Sequence, residues 1–272
     1  MSFAVSQGPG GDADGVPVIR FANVHKAFGA QRVLQGVDLS LRAGETMVVI
    51  GESGAGKSVI LKHMVGLLRP DHGEVRFRGD RVDRMNIRQL DRLRQRFGFL
   101  FQLGALFDSL TVAENLAFPV IEHTRRSPAD VSRIVSEKLR MVGLDGIQGK
   151  RPAELSGGQK KRVALARAIA LDPEVVLYDE PTTGLDPVRA DVINELILKL
   201  KREMGVTGVV VTHDMASARK VGDRIIMLHD GRFIFDGTPD ALAASKDERV
   251  RRFVEGRASA ADLRSLRNGV GS

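Results

Sequence analysis

The chain runs to 272 residues, 43% apolar and 28% charged, with a formal net charge of +7, enough to bury a sizeable core in one large domain or two small ones. It has no cysteine, which excludes a disulfide framework, a thiolate metal site and a cysteine nucleophile, and no apolar run approaches the ~18 residues of a membrane span. Tyr and Trp together amount to one residue and the arginines are spread along the chain, so the basic balance reads as a solvated surface and nucleic acid is not an expected partner.

The first stretch, "MSFAVSQGPGGDADGVP", has neither a basic start nor an apolar segment, and 1–17 reads as a flexible leader rather than a secretory signal. From Val18 the stretches "VIRFANV" and "VLQGVDLSL" alternate as strands do, and "RAGE" is a turn. "TMVVIG", residues 46–51, is a continuous apolar run closed by glycine, the pattern of a strand buried on both faces in a parallel sheet. "EVVLYDE" (174–180), "TGVVVTHD" (207–214) and "DRIIMLHDG" (223–231) repeat it, with helical character over 187–204. Strands alternating with helices predict an α/β fold with a mainly parallel sheet. Between about 103 and 158 no such run occurs. Helix starts do occur: a capping box at Thr111 and Glu114, Ser127 before Pro128, and a second box at Ser156 and Gln159. This stretch is expected to be a helical insert.

Two segments carry phosphate chemistry. "GESGAGKS", Gly51 to Ser58, follows the apolar strand directly and fits the glycine-rich loop whose backbone N–H groups wrap phosphates. There Lys57 supplies charge to the β- and γ-phosphates and the Ser58 hydroxyl a ligand to Mg²⁺. In "VVLYDE", Asp179 ends a buried strand where it can hold Mg²⁺, and Glu180 beside it can polarise an attacking water. His213 in "VVVTHD" ends another core strand, in reach of a γ-phosphate. "LSGGQKKR", 155–162, is a helix start equipped to meet a further anion.

The glycine-rich loop, Gln102 in "FLFQ", "LSGGQ", "VVLYDEP", "TGLD" and "VTHD" occur in the order and spacing of ABC-type ATPases, and the resemblance runs from about Val18 to Thr238. It implies a P-loop, RecA-like core with an N-terminal antiparallel β-subdomain and a helical signature subdomain, as an ATPase domain over 18–246. In that family two subunits sandwich two ATP molecules head to tail. Gly51, Glu52, Ser53, Gly54, Ala55, Gly56, Lys57, Ser58 and Val59 are then expected around the phosphates, with Ser58, Gln102 and Asp179 toward Mg²⁺ and Phe28 stacked on adenine. Ser156, Gly157, Gly158 and Gln159 are expected at the partner's γ-phosphate, and Asp186 across the dimer seam. Gln102 and the signature lie roughly 50 residues apart, which leaves no room for the coiled coils of chromosome-organising relatives.

Within the class, "FQLGALFDSLTVAENLAFPVIEHT" (101–124) and "DERVRRFVEG" (247–256) resemble the ATPases of Mla-type, MCE-associated lipid transporters. That resemblance implies an ATPase homodimer driving phospholipid transport from the cytoplasmic face of a bacterial inner membrane. Its implied partners are a membrane permease, an MCE-domain lipid-binding protein and a small regulatory subunit. A regulator of cell-wall hydrolases, a scaffold, or the ATPase of a transporter for another solute are the alternatives. In the tail, 247–272, Val250, Phe253 and Val254 fall on one helix face before Gly256, and Leu263 and Leu266 suggest a second short helix. The tail is expected either to fold back on its own subunit or fray, or to cross to the partner ATPase.

Overall fold

The structure, a computed structural model, describes residues 16–258. In chain order the elements are β1 (Ile19–Phe28), β2 (Gln31–Leu41), β3 (Thr46–Ile50), α1 (Lys57–Met64), β4 (His72–Phe77), β5 (Asp80–Arg81), α2 (Ile87–Arg94), β6 (Phe97–Leu100), α3 (Val112–His123), α4 (Pro128–Met141), α5 (Gly157–Ala168), β7 (Val175–Asp179), α6 (Pro187–Met204), β8 (Thr207–Val211), α7 (Met215–Val221), β9 (Arg224–His229), β10 (Arg232–Gly237), α8 (Pro239–Ala243) and α9 (Glu248–Glu255).

The alternating N-terminal stretches pair antiparallel and, with β4 and β5, form a four-stranded sheet of order β2-β1-β4-β5. The continuous apolar runs form the second sheet, of order β10-β9-β3-β8-β7-β6. Its strands β9, β3, β8, β7 and β6 are parallel, and β10 closes one edge as an antiparallel hairpin with β9. The mainly parallel core, the N-terminal antiparallel sheet and the helices of the 103–158 stretch are as the sequence predicts.

Period-two geometry explains why those strands are apolar throughout. Val48, Ile50, Val176, Tyr178 and Val210 point to one face, where α3, α4, α5, α6 and α7 supply the core. Met47, Val49, Val175, Leu177, Val209 and Val211 point to the other, against α1 and the antiparallel sheet. Each strand residue therefore meets an apolar partner whichever way it points, and burial of the whole run is what fixes the strand.

The expected helix starts are present. Thr111 with Glu114 and Ser156 with Gln159 make reciprocal capping boxes on α3 and α5, and Ser127 caps α4 ahead of Pro128. In the tail, α9 packs on its own subunit: Val250 is fully buried, Phe253 and Val254 lie against the main core, and Gly256 ends the helix in a left-handed conformation at φ +65°. Most of the expected leader and the second tail helix around Leu263 and Leu266 fall outside the described residues. Among the described residues no helix is long and apolar enough to cross a membrane.

Candidate functional site

Parallel strands deliver their C-terminal ends to one edge of the sheet, and the chemistry-bearing residues follow those ends. β3 runs into Gly51 and the glycine-rich loop, β7 into Asp179 and Glu180, β8 into Thr212 and His213, and β6 into Gln102. This is where open α/β sheets bind ligands.

The loop is wound tightly enough that two of its glycines are obligatory. A Cβ at Gly51 would lie 2.4 Å from the Leu228 carbonyl oxygen. Gly56, at φ +103°, would put one 2.5 Å from Val33 Cγ1. Lys57 opens α1, is 7% exposed, and turns its ammonium back to donate to the carbonyls of Gly51 (2.8 Å) and Glu52 (2.9 Å). Burial holds that ammonium below its ordinary pKa, against the opposing pull of the Glu180 and Asp179 charges. Among the described residues, the backbone N–H groups of Ser53, Gly54, Gly56, Lys57 and Ser58 make no hydrogen bond to a protein acceptor. Free N–H groups at a helix start, with a lysine beside them, suit an anion of phosphate type. On the outer side of the loop, Glu52–Ala55, Gln31–Val33 and His229–Gly231 enclose a cavity of about 240 Å³. Phe28 is half exposed at the hairpin end, paired in register with Gln31 on that cavity wall.

The Ser58 hydroxyl donates to Asp179 Oδ1 at 3.0 Å. Burial raises the Asp179 carboxyl above its usual range, with the Ser58 hydrogen bond acting the other way. A hydroxyl and one carboxylate are a partial set of hard oxygen donors. Among the described residues no cluster of three or more His, Cys, Asp or Glu side chains supplies a complete metal site. That fits Mg²⁺, which takes one or two protein oxygens and completes its shell with water and phosphate. Gln102 is exposed just past β6, and among the described residues its side chain makes no hydrogen bond to Ser58 or Asp179.

Glu180 is 9% exposed and sits at φ +49°, a left-handed conformation unusual for a residue with a side chain. Its Oε2 accepts from Thr183 Oγ1 (3.2 Å) and Thr212 Oγ1 (3.4 Å) and lies 2.9 Å from His213 Nδ1, while Oε1 is 4.0 Å from the Lys57 ammonium. His213 is otherwise largely exposed. Lys57, Ser58, Asp179, Glu180 and His213 thus form one contiguous polar cluster.

The signature residues stand apart from it. Ser156 caps α5 by accepting from the Gln159 N–H, Gln159 accepts from the Ser156 N–H, and Ser156 and Gly157 are exposed. Asp186 caps α6 and pairs with Arg189, whose side chain lies close to Gly158. Among the described residues no hydrogen bond or ion pair joins Ser156, Gly157, Gly158, Gln159 or Asp186 to the Lys57–Glu180 cluster.

Three groups around Glu180 have no place in the sequence reading: Thr183, Thr212 and Lys161. The two threonines lie inside the stretches "DEPTT" and "VTHD", and only the fold turns them onto one carboxylate. Lys161 carried a signal, a charge on the helix face that Ala164 and Leu165 fill with apolar atoms.

Comparison with known proteins agrees with this geometry. The family model for the ABC transporter matches residues 34–183. The chain is 42% identical over 239 residues to the "probable ribonucleotide transport ATP-binding protein mkl" of Mycobacterium leprae, spanning 88% of this chain and 69% of that one. It is 39% identical over 239 residues to the "intermembrane phospholipid transport system ATP-binding protein MlaF" of Haemophilus influenzae, spanning 88% of this chain and 90% of that one. A dimeric ATP-binding cassette solved in a post-hydrolysis state with ADP and Pi superposes with a TM-score of 0.75 at 36% identity, over 81% of this chain and 98% of that one.

Proposed function

This chain belongs to the ABC transporter family and is an ATPase of that class, and from that premise we propose which residues perform hydrolysis and what it drives. The contiguity of Lys57, Ser58, Asp179, Glu180 and His213 at the ends of β3, β7 and β8 carries the proposal. The ATPase domain is taken as 18–246, with its helical part over about 103–158 and a tail from 247.

Gly51 to Val59 wrap the β- and γ-phosphates of ATP with backbone N–H groups, and Lys57 exchanges its two loop carbonyls for phosphate oxygens. Phe28 offers its exposed ring face to the base. Ser58, Asp179 and Gln102 hold Mg²⁺, which when bound withdraws charge from the phosphate oxygens. Glu180 accepts the proton of the water that attacks the γ-phosphorus, as the bond to the ADP oxygen breaks. His213, already on Glu180 Oε2, orients that carboxylate and reaches toward the γ-phosphate. Ser156, Gly157, Gly158 and Gln159, remote from their own cluster, serve the partner's nucleotide across a head-to-tail homodimer, with Asp186 at the seam.

The cargo we propose is phospholipid, moved across a bacterial envelope by a permease and an MCE-domain protein above this subunit. Its place is then the cytoplasmic face of the inner membrane. Support comes from the 101–124 and 247–256 stretches and from a similarity that spans nearly all of the MlaF relative. The mkl relative is named for ribonucleotide transport, which makes a nucleotide cargo the competing reading. Glu180→Gln is expected to bind ATP normally and lose about 10²–10⁴ in turnover. Mass spectrometry of the transporter purified through this subunit is expected to find phospholipid above detergent background and an MCE-domain protein. Near-normal turnover removes Glu180 from the base role. Bound ribonucleotide without enriched lipid transfers the cargo to the second reading.

A further inference from the structure

Lys161 is four residues into α5, five past the Ser156 cap, and 6% exposed. Its ammonium donates to the backbone carbonyl of Gln102 and to that of Glu180, the latter at 3.3 Å. Those two residues lie just beyond the ends of β6 and β7, neighbouring strands held in parallel register. One side chain thus ties the signature helix to both strand exits.

The tie has a second point. Two turns further along α5, Arg167 donates to the Gly104 carbonyl at 3.0 Å and lies 5.7 Å from the Phe107 ring centre. The segment 102–104 is therefore pinned to α5 at both ends. Glu180 is pinned too: its N–H donates to the Val211 carbonyl at 2.8 Å, and its own carbonyl accepts from Lys161. These two bonds flank a residue in a left-handed conformation, which needs outside support to persist.

An apolar side chain would fill the helix face at 161 as well as a lysine does, and at less desolvation cost. What lysine adds is several donors on a long reach, matched here to the Gln102 carbonyl and to the Glu180 carbonyl, which also accepts from the Thr183 N–H at 3.3 Å. Ser156, Gly157 and Gly158 sit at the start of the same helix, about 4.5–7.5 Å from Lys161 along its axis. We propose that Lys161 is a positioning residue that ties α5 to Gln102 and Glu180, so that the placement of a chain's own hydrolytic carboxylate is coupled to that of the cradle it offers its partner's γ-phosphate. This rests on the head-to-tail reading given above. It assigns to this single side chain the mechanical link between the two composite sites of a dimer.

Lys161→Met and Lys161→Arg in the full chain test it, with ATP affinity, turnover, ATP-driven dimer formation and thermal midpoint measured for each. Lys161→Met is expected to lose about 10–100-fold in kcat while ATP affinity in the monomer stays within about twofold and the thermal midpoint is little changed. ATP-driven dimerisation, read in a Glu180→Gln background, is expected to weaken. Lys161→Arg, which keeps the charge and the donors, is expected to recover most of both. Turnover within about twofold of wild type in a folded Lys161→Met chain overturns the proposal, as does a loss in which monomer ATP affinity falls by the same factor as turnover. If Lys161→Met does not fold, Lys161→Leu replaces it, and equal turnover for the Leu, Arg and wild-type chains then overturns the proposal. Failure of the wild-type chain to dimerise with ATP overturns instead the head-to-tail reading, and with it the link.

Discussion

His63 is fully buried on α1, with Nδ1 2.7 Å from the Val59 carbonyl and Nε2 without a partner. The carbonyl fixes the neutral tautomer with its proton on Nδ1. Burial holds the pKa below the ordinary histidine range, ahead of the Val59 carbonyl, which raises it, and Lys26, which lowers it further. The unfolded chain therefore takes up a proton at a pH where the folded chain does not, so stability rises with pH. Present in full above the unfolded pKa near 6.5, this contribution declines as the pH falls toward the lower folded value. His63→Leu is expected to flatten the fall in thermal midpoint between about pH 7.5 and 5 relative to wild type. Parallel midpoint curves for the two proteins eliminate His63 as the titrating group. Legibility differs sharply between residues of this kind. Lys57, Ser58, Asp179, Glu180 and His213 could be read because each belongs to a motif that ends or directly follows a recognisable apolar strand. His63 and Lys161 could not, because what makes them unusual is the three-dimensional company they keep inside apolar helix faces.

Among elements, the parallel strands β3, β7, β8 and β9 were legible because burial on both faces demands an unbroken apolar run. β6 was not. It is four residues long and contains Gly98, where a Cβ would meet the Ala168 carbonyl oxygen at 2.4 Å. That glycine lets α5 close on the strand, yet in sequence it reads as a break. β10 escaped for the opposite reason, as a half-covered edge strand with an irregular burial pattern. α2 went unread although Asn86 and Gln89 form a complete capping box, because the segment is otherwise dominated by arginine. The tail helix α9 was legible in its apolar face but not in its destination, since a face says only that something covers it. Its own subunit does, through Val250. Val250→Asp is expected to lower stability by at least about 2 kcal/mol by placing an unpaired carboxylate in that contact. Limited proteolysis should then cut ahead of α9 faster than in wild type, and an unchanged cleavage rate would show that the contact contributes little.

At the scale of the whole molecule, a site whose signature residues stand apart from its own phosphate loop predicts a result from mixing. Ser156→Arg puts a bulky side chain in front of the partner's nucleotide, and Lys57→Ala removes charge from the chain's own. With the two changes on opposite chains, a head-to-tail dimer collects both lesions in one site and keeps the other intact. With both on one chain, each site carries one lesion. The first arrangement is expected to retain about half of wild-type ATPase activity and the second little. Equal activities would remove the support for shared sites.

The strand order carries a consequence for the birth of the chain. β3 leads into the phosphate loop, and both its sheet neighbours, β8 and β9, lie near the other end of the sequence. At roughly 5–20 residues per second, the ~160 residues between Ile50 and Thr207 take about 8–32 s to synthesise. Over that interval "TMVVI" has neither edge paired, while the antiparallel sheet and α1, completed soon after it, can cover only one of its faces. Sticky, unpaired and long-lived is the profile of a nascent segment that holdase chaperones recognise, and of one that aggregates when they are scarce. The arrangement that gathers every reactive group at one sheet edge also makes the strand that needs its partners most wait longest for them.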